Sequence, residues 1–221
     1  MEQWSHSPDD TFLASNPAIL RELVLFAHIR ERQRDLVVEA LEQTTGERIW
    51  SWSTDTKGLG LITSGDRVLV IGQRRGIRRS SVTGTDLWLI GDGGELVWSA
   101  ATRSPAVVTD NYGFGPLGAV SQGIAVVTVA NGIEAFRLAD GEPLWSAGAD
   151  RFFPQARLSA PVTFWDLSPV TIAGHRVLTL AENESGISWF RVFKLRSGRK
   201  IFERKRRHNR FGCLHLCLGR Q

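Results

Sequence analysis

The chain has little cysteine: two residues, Cys213 and Cys217, both near the C-terminus. That excludes a disulfide framework as the source of its fold. Long apolar runs are missing too, and nothing approaches the roughly 18 residues needed to span a membrane as a helix. Met1 to Asp10 lacks the basic-then-apolar order of a signal peptide. As written, the sequence reads as cytoplasmic; a true N-terminus lying further upstream would make it an exported protein. No nucleophile–base arrangement stands out. His6, His28 and His175 have no local acid or base partner that makes a motif, and the serines are scattered.

What is present is a beat. Trp-Ser recurs at Trp4-Ser5, Trp50-Ser51, Trp98-Ser99 and Trp145-Ser146, at intervals of 46, 48 and 47 residues, and a degenerate copy ends at Phe202. Four residues before the last four aromatics stands a glycine: Gly46, Gly94, Gly141 and Gly198. Each follows a small residue, Thr45, Gly93, Asp140 or Ser197, which is turn chemistry. An apolar or alternating run precedes each turn and a short run holding the aromatic follows it, so each copy predicts a β-hairpin. Further upstream, Pro17, Pro105 and Pro161 open apolar stretches, and a second apolar run follows. Each period therefore holds about four short strands, the content of one propeller blade.

Residues 17–43 carry a competing helical signal. Asn16 would cap the helix, Pro17 would take its first position, and Ile19, Leu20, Leu23, Val24 and Ala27 fall at helical spacing. Pro17 and Gly46, however, hold the same places in the frame as Pro105 and Gly141. That agreement outweighs local propensity, so strands are expected here.

The expected fold is all-β: a β-propeller of four-stranded antiparallel blades, about four of them, forming a partial ring. The blades run at roughly 5–52, 53–100, 101–147 and 148–205, with an orphan strand at 1–5 and an irregular basic tail at 206–221. Alternatives for the ring are a small four-bladed closure or two half-rings paired as a homodimer. Uncovered blade faces would invite association.

The repeat resembles that of the pyrroloquinoline-quinone-like (quinoprotein-like) β-propellers, whose blades end in Ala-x-Asp-x-x-Thr-Gly-x-x-x-Trp. Ala40 to Gly46 leading to Trp50, and Ala135 to Gly141 leading to Trp145, carry the likeness; Trp88 and Val192 stand at the alanine position in the other two copies. The resemblance covers roughly residues 4–205. It implies that Trp4, Trp50, Trp98, Trp145 and Phe202 pack between adjacent blades as structural residues. It does not imply a cofactor, since many members bind no quinone. Quinone-dependent dehydrogenases resemble one another in an adjacent Cys-Cys disulfide, a calcium site of Glu and Asn and a catalytic Asp, and this chain has no adjacent cysteines. A bacterial outer-membrane assembly scaffold resembles the chain in repeat, but not in its exported, lipid-anchored N-terminus.

The net charge of +4 hides an asymmetry. Residues 191–210 hold ten Lys or Arg against Glu203 alone, so that segment is +9 and the remainder −5. A basic run attracts nucleic acid through counterion release. No aromatic platform or recognition helix accompanies this one, which favours a solvated strand edge and tail. Gly113 to Gly118 matches the dinucleotide fingerprint. Yet Pro116 removes a donor and a β-branched run follows, leaving no room for the helix that would meet a pyrophosphate. His208, Cys213, His215 and Cys217 are metal-ligand types at spacings that fit no common zinc pattern.

Propeller geometry says where binding would occur. Asp110 and Asp166 each stand five residues after a proline, with Tyr112 following the first and Trp165 preceding the second. Acids and aromatics at a channel mouth suit a cation, a sugar or a peptide; the plainer reading is that each Asp caps a turn. The expected function is a non-enzymatic scaffold for another protein or a small ligand, without cofactor or metal. The alternatives are a fragment or degenerate member of a quinone-dependent dehydrogenase, and an electrostatic nucleic-acid binder through 191–210.

Overall fold

A computed structural model of the chain describes residues 4–5, 11–13, 17–30, 36–75, 82–103, 118–129, 132–148, 170–182 and 187–207. Among the described residues every regular element is a strand.

The strands form four antiparallel sheets in chain order. The first holds β1 (Thr11–Leu13), β2 (Ala18–Leu20), β3 (Leu23–Arg30), β4 (Leu36–Glu42) and β5 (Arg48–Thr54). The second holds β6 (Lys57–Ser64), β7 (Arg67–Arg75), β8 (Val82–Gly91) and β9 (Leu96–Ala101). In the third are β10 (Gly118–Ser121), β11 (Ile124–Val129), β12 (Gly132–Arg137) and β13 (Pro143–Gly148). The fourth comprises β14 (Thr171–Ala173), β15 (Arg176–Glu182), β16 (Ile187–Lys194) and β17 (Lys200–Arg207). In the first sheet β1 and β2 share one lane. β2 pairs with Leu23–Leu25 and β1 with His28–Arg30, so together they fill the place that one strand fills elsewhere.

Within 17–43 the described residues, 17–30 and 36–43, are strands and turns, with no helix. The reason lies in the packing. Central strands have both faces buried, so they read as continuous apolar runs and lose the period-2 alternation that usually marks a strand. In β7, Val68 and Val70 join Leu25, Leu36 and Val38 in the core between the first two sheets. Leu69 and Ile71, on the other face, join Ala125, Val127 and Phe136 in the core between the second and third. Ile124, Val126 and Ala135 then meet Val177, Phe193 and Leu195 between the third and fourth. The sheets are therefore stacked face to face in sequence order, as propeller blades are. The first strands β6, β10 and β14 make the contacts from one blade to the next.

Candidate functional site

The repeated residues meet across blade boundaries. Each turn glycine lies in the left-handed region, with φ of +73° at Gly46, +87° at Gly94, +75° at Gly141 and +64° at Gly198. The tryptophan of the preceding repeat lies flat against it. A Cβ on Gly141 would stand 2.7 Å from the Trp98 ring, and one on Gly198 2.5 Å from the Trp145 ring. Gly46 receives Trp4 and Gly94 receives Trp50 in the same way. Each indole N–H then donates to the first carbonyl of that turn: Trp4 to Gln43 at 2.9 Å, Trp50 to Asp92 at 2.7 Å, Trp98 to Leu138 at 2.8 Å and Trp145 to Leu195 at 2.8 Å. Glycine is required twice over, for the turn and for the close approach of the ring.

The register corrects the repeat frame in one blade. Trp50 stands opposite Ala40, Trp145 opposite Ala135 and Phe202 opposite Val192, but Trp98 stands opposite Leu89, not Trp88. The second blade's turn is one residue shorter: Gly94 N–H donates to Gly91, three residues back, where Gly46, Gly141 and Gly198 donate four residues back. Trp88 consequently points the other way, into the first blade boundary, with its ring 5.5 Å from that of Trp52. A bulge follows the partner of the aromatic in every blade.

Two buried acids were not singled out by sequence reasoning. Glu39 and Glu134 stand opposite Ser51 and Ser146 and are 4% and 3% exposed. The Glu134 carboxylate accepts the Arg103 backbone N–H at 3.0 Å, tying the exit of the second blade to the third. Glu39 lies 3.3 Å from the Arg48 guanidinium and 3.8 Å from the Nε2 of buried His28. The available signal was the repeated Glu-Ala at 39–40 and 134–135 inside apolar runs.

The turns carry their own electrostatics. The Thr44 hydroxyl, and then the Thr45 hydroxyl and N–H, hold the Glu42 carboxyl below its usual value. The Glu142 backbone N–H, and then Arg137, do the same for Asp140. In β17, Lys200 and Arg191 hold Glu203 down, so part of the basic segment is paired within its own sheet. Trp189 stacks under Arg191 and Lys205, at 5.7 and 5.8 Å.

The two rims of the array differ. One carries the tight turns β2–β3, β4–β5 and their equivalents. They are joined laterally, by Arg21 to Asp66 and Asp92, and by Gln122 to the Gly174 carbonyl and His175. At the opposite rim the chain passes between blades, leaving at Arg103 and Gly148 and returning at Gly118 and Val170. Asp110, Tyr112, Trp165 and Asp166 belong to these two connections and lie outside the described residues, as do His208, Cys213, His215 and Cys217. Of the glycine fingerprint only Gly118 is described. It opens β10, where a Cβ would stand 2.8 Å from the Val126 carbonyl oxygen, and a strand follows it.

No family profile and no curated protein sequence matches the chain. Solved structures do. Hsv2 of Kluyveromyces marxianus is similar at 15% identity and a TM-score of 0.53, over 86% of this chain and 48% of that one. A KlHsv2 variant with loop 6CD replaced by a Gly-Ser linker is similar at 13% identity and a TM-score of 0.55, over 90% of this chain and 55% of its own length. The Neurospora crassa Pan2 WD40 domain is similar at 12% identity and a TM-score of 0.52, over 86% and 51%. The chain thus has a β-propeller fold and spans about half the length of the propellers it matches.

Proposed function

We propose that the chain is a quinoprotein-like β-propeller unit that acts as a recognition scaffold, binding another protein or a small ligand at the rim of its inter-blade connections. The observation that carries this is the asymmetry of the rims. One rim is closed by short turns that the tryptophans and lateral polar contacts hold together. At the other the chain leaves its blades at Arg103 and Gly148 and re-enters at Gly118 and Val170, with the long sequence stretches 104–117 and 149–169 between these points. Binding residues are characteristically carried on loops that a rigid scaffold positions. Asp110, Tyr112, Trp165 and Asp166 are the proposed contacts: carboxylates for a cation, a sugar hydroxyl or a basic peptide, and aromatic faces for stacking.

The test is a screen of the intact chain against peptide and glycan arrays, repeated with all four residues changed to Ala. A ligand that binds the natural chain and is lost by the variant supports the reading. A ligand bound equally by both places recognition elsewhere.

A further inference from the structure

The bulge beside each aromatic leaves one residue of the outer strand without a cross-strand partner. These are Ile49 before Trp50, Val97 before Trp98, Leu144 before Trp145 and Ile201 before Phe202. A bulge re-aims a side chain. All four of these side chains are aliphatic, and all four are exposed, at 53%, 38%, 36% and 41%. Leu96, next to Val97, is exposed at 50%. None of the five belongs to a core between sheets. Exposed apolar residues scattered singly need no explanation, but one at the same bulge of every blade is a repeated feature that the packing does not require.

The tryptophan latches gather these residues along the perimeter, next to the rim of tight turns. Trp50 sits on Gly94, where Glu95, Leu96 and Val97 follow; Trp98 sits on Gly141, where Glu142, Pro143 and Leu144 follow. Both junctions lie inside the array, and the hairpin turns of all four blades are among the described residues. Residues 42–48, 91–96 and 137–143, which form the hairpin turns of the first three blades, hold six acids against Arg48 and Arg137, a net charge of −4. The equivalent residues 194–200 of the fourth blade hold Lys194, Arg196, Arg199, Lys200 and no acid, a net charge of +4. Glu47, Glu95 and Glu142, each two residues before a bulged aliphatic, are all exposed.

We infer that the perimeter of the second and third blades, beside the turn rim, is a docking surface for a basic segment of another protein that carries aliphatic residues between its lysines or arginines. Its aliphatic side chains lie against Leu96, Val97 and Leu144, and its cations against Glu95 and Glu142. Apolar contact supplies the affinity, and the acids select which segments are accepted. The segment does not join the sheet as an added strand, because the bulges interrupt the even spacing of backbone groups along the outer edge. The fourth blade offers the same bulge and an exposed Ile201 with the opposite charge, so it takes no part.

The probe is a short capped peptide of alternating lysine and leucine, titrated against the intact chain. Saturable binding that weakens with added salt is expected. It should fall about tenfold or more when Leu96→Ser, Val97→Ser and Leu144→Ser are combined, as for an interface anchor, and should be unchanged in Ile201→Ser, a matched control at the same bulge. Combining Glu47→Gln, Glu95→Gln and Glu142→Gln, which leaves the aliphatic residues in place, should flatten the salt dependence. Absence of binding, binding indifferent to the triple serine change, or equal weakening by Ile201→Ser overturns the inference. Binding of phosphatidylcholine vesicles that the triple serine change abolishes also overturns it, because the occupant is then a membrane. Self-association lost in the same variant does so too, because the occupant is then a second copy. The rim at which the chain passes between blades is a different surface, and its recognition of ligands stands or falls separately.

Discussion

A glycine and a tryptophan about 43 residues apart behave as one unit here, as Trp98 and Gly141 show. The glycine supplies a left-handed turn residue and a flat seat. The tryptophan supplies apolar area and a donor for the turn's first carbonyl. Gly141→Ala should cost about 2 kcal/mol or more, from left-handed strain and from displacement of the ring. Trp98→Phe should cost about 1 kcal/mol, because the ring stays but the Leu138 carbonyl loses its donor. Urea denaturation reads both values. The spacing of tryptophan and glycine is visible in the sequence, but not which glycine each tryptophan meets. That pairing depends on the blade-to-blade stack.

At the scale of the element, the hairpin turn is the device that repeats. Its acids are held below their usual values, Glu42 by threonine hydroxyls and Asp140 chiefly by a backbone N–H. A carboxyl depressed by folding stabilises the native state above its ordinary value and loses that contribution as pH falls through the folded one. Stability should therefore be level above the ordinary glutamate value of 4.5 and decline below it. Glu42→Gln should flatten part of that acid limb in melts run from pH 7 down to about 2. Strand identity was largely legible from the repeat frame, even in residues 17–43 where local propensity favours a helix. The one-residue shortening of the second turn was not legible. It moves Trp88 off the junction and Leu89 onto it, and only pairing shows this. Glu39 and Glu134 were missed for a related reason: an acid within a valine-rich run gives no local hint that its side chain is buried.

At the scale of the whole molecule, half of a propeller's length folds into blades that cover one another in series. The cost of removing an aromatic should then depend on whether a blade follows it. Phe202→Ala should change stability by no more than about 0.5 kcal/mol, as an exposed surface change does. Trp98→Ala should cost about 3 kcal/mol, because it opens a buried junction. Equal costs at the two positions would mean that the fourth face is covered in solution.

Trp50, Trp98 and Trp145 are each latched to the next blade's turn. Hydrogen exchange of the indole N–H groups of Trp50, Trp98 and Trp145, followed by NMR, tests the latch most directly. Slow exchange is expected at all three, with Trp145 alone made fast by Gly198→Ala. Fast exchange at all three in the natural chain, or a Gly198→Ala variant in which Trp145 stays protected, would contradict it.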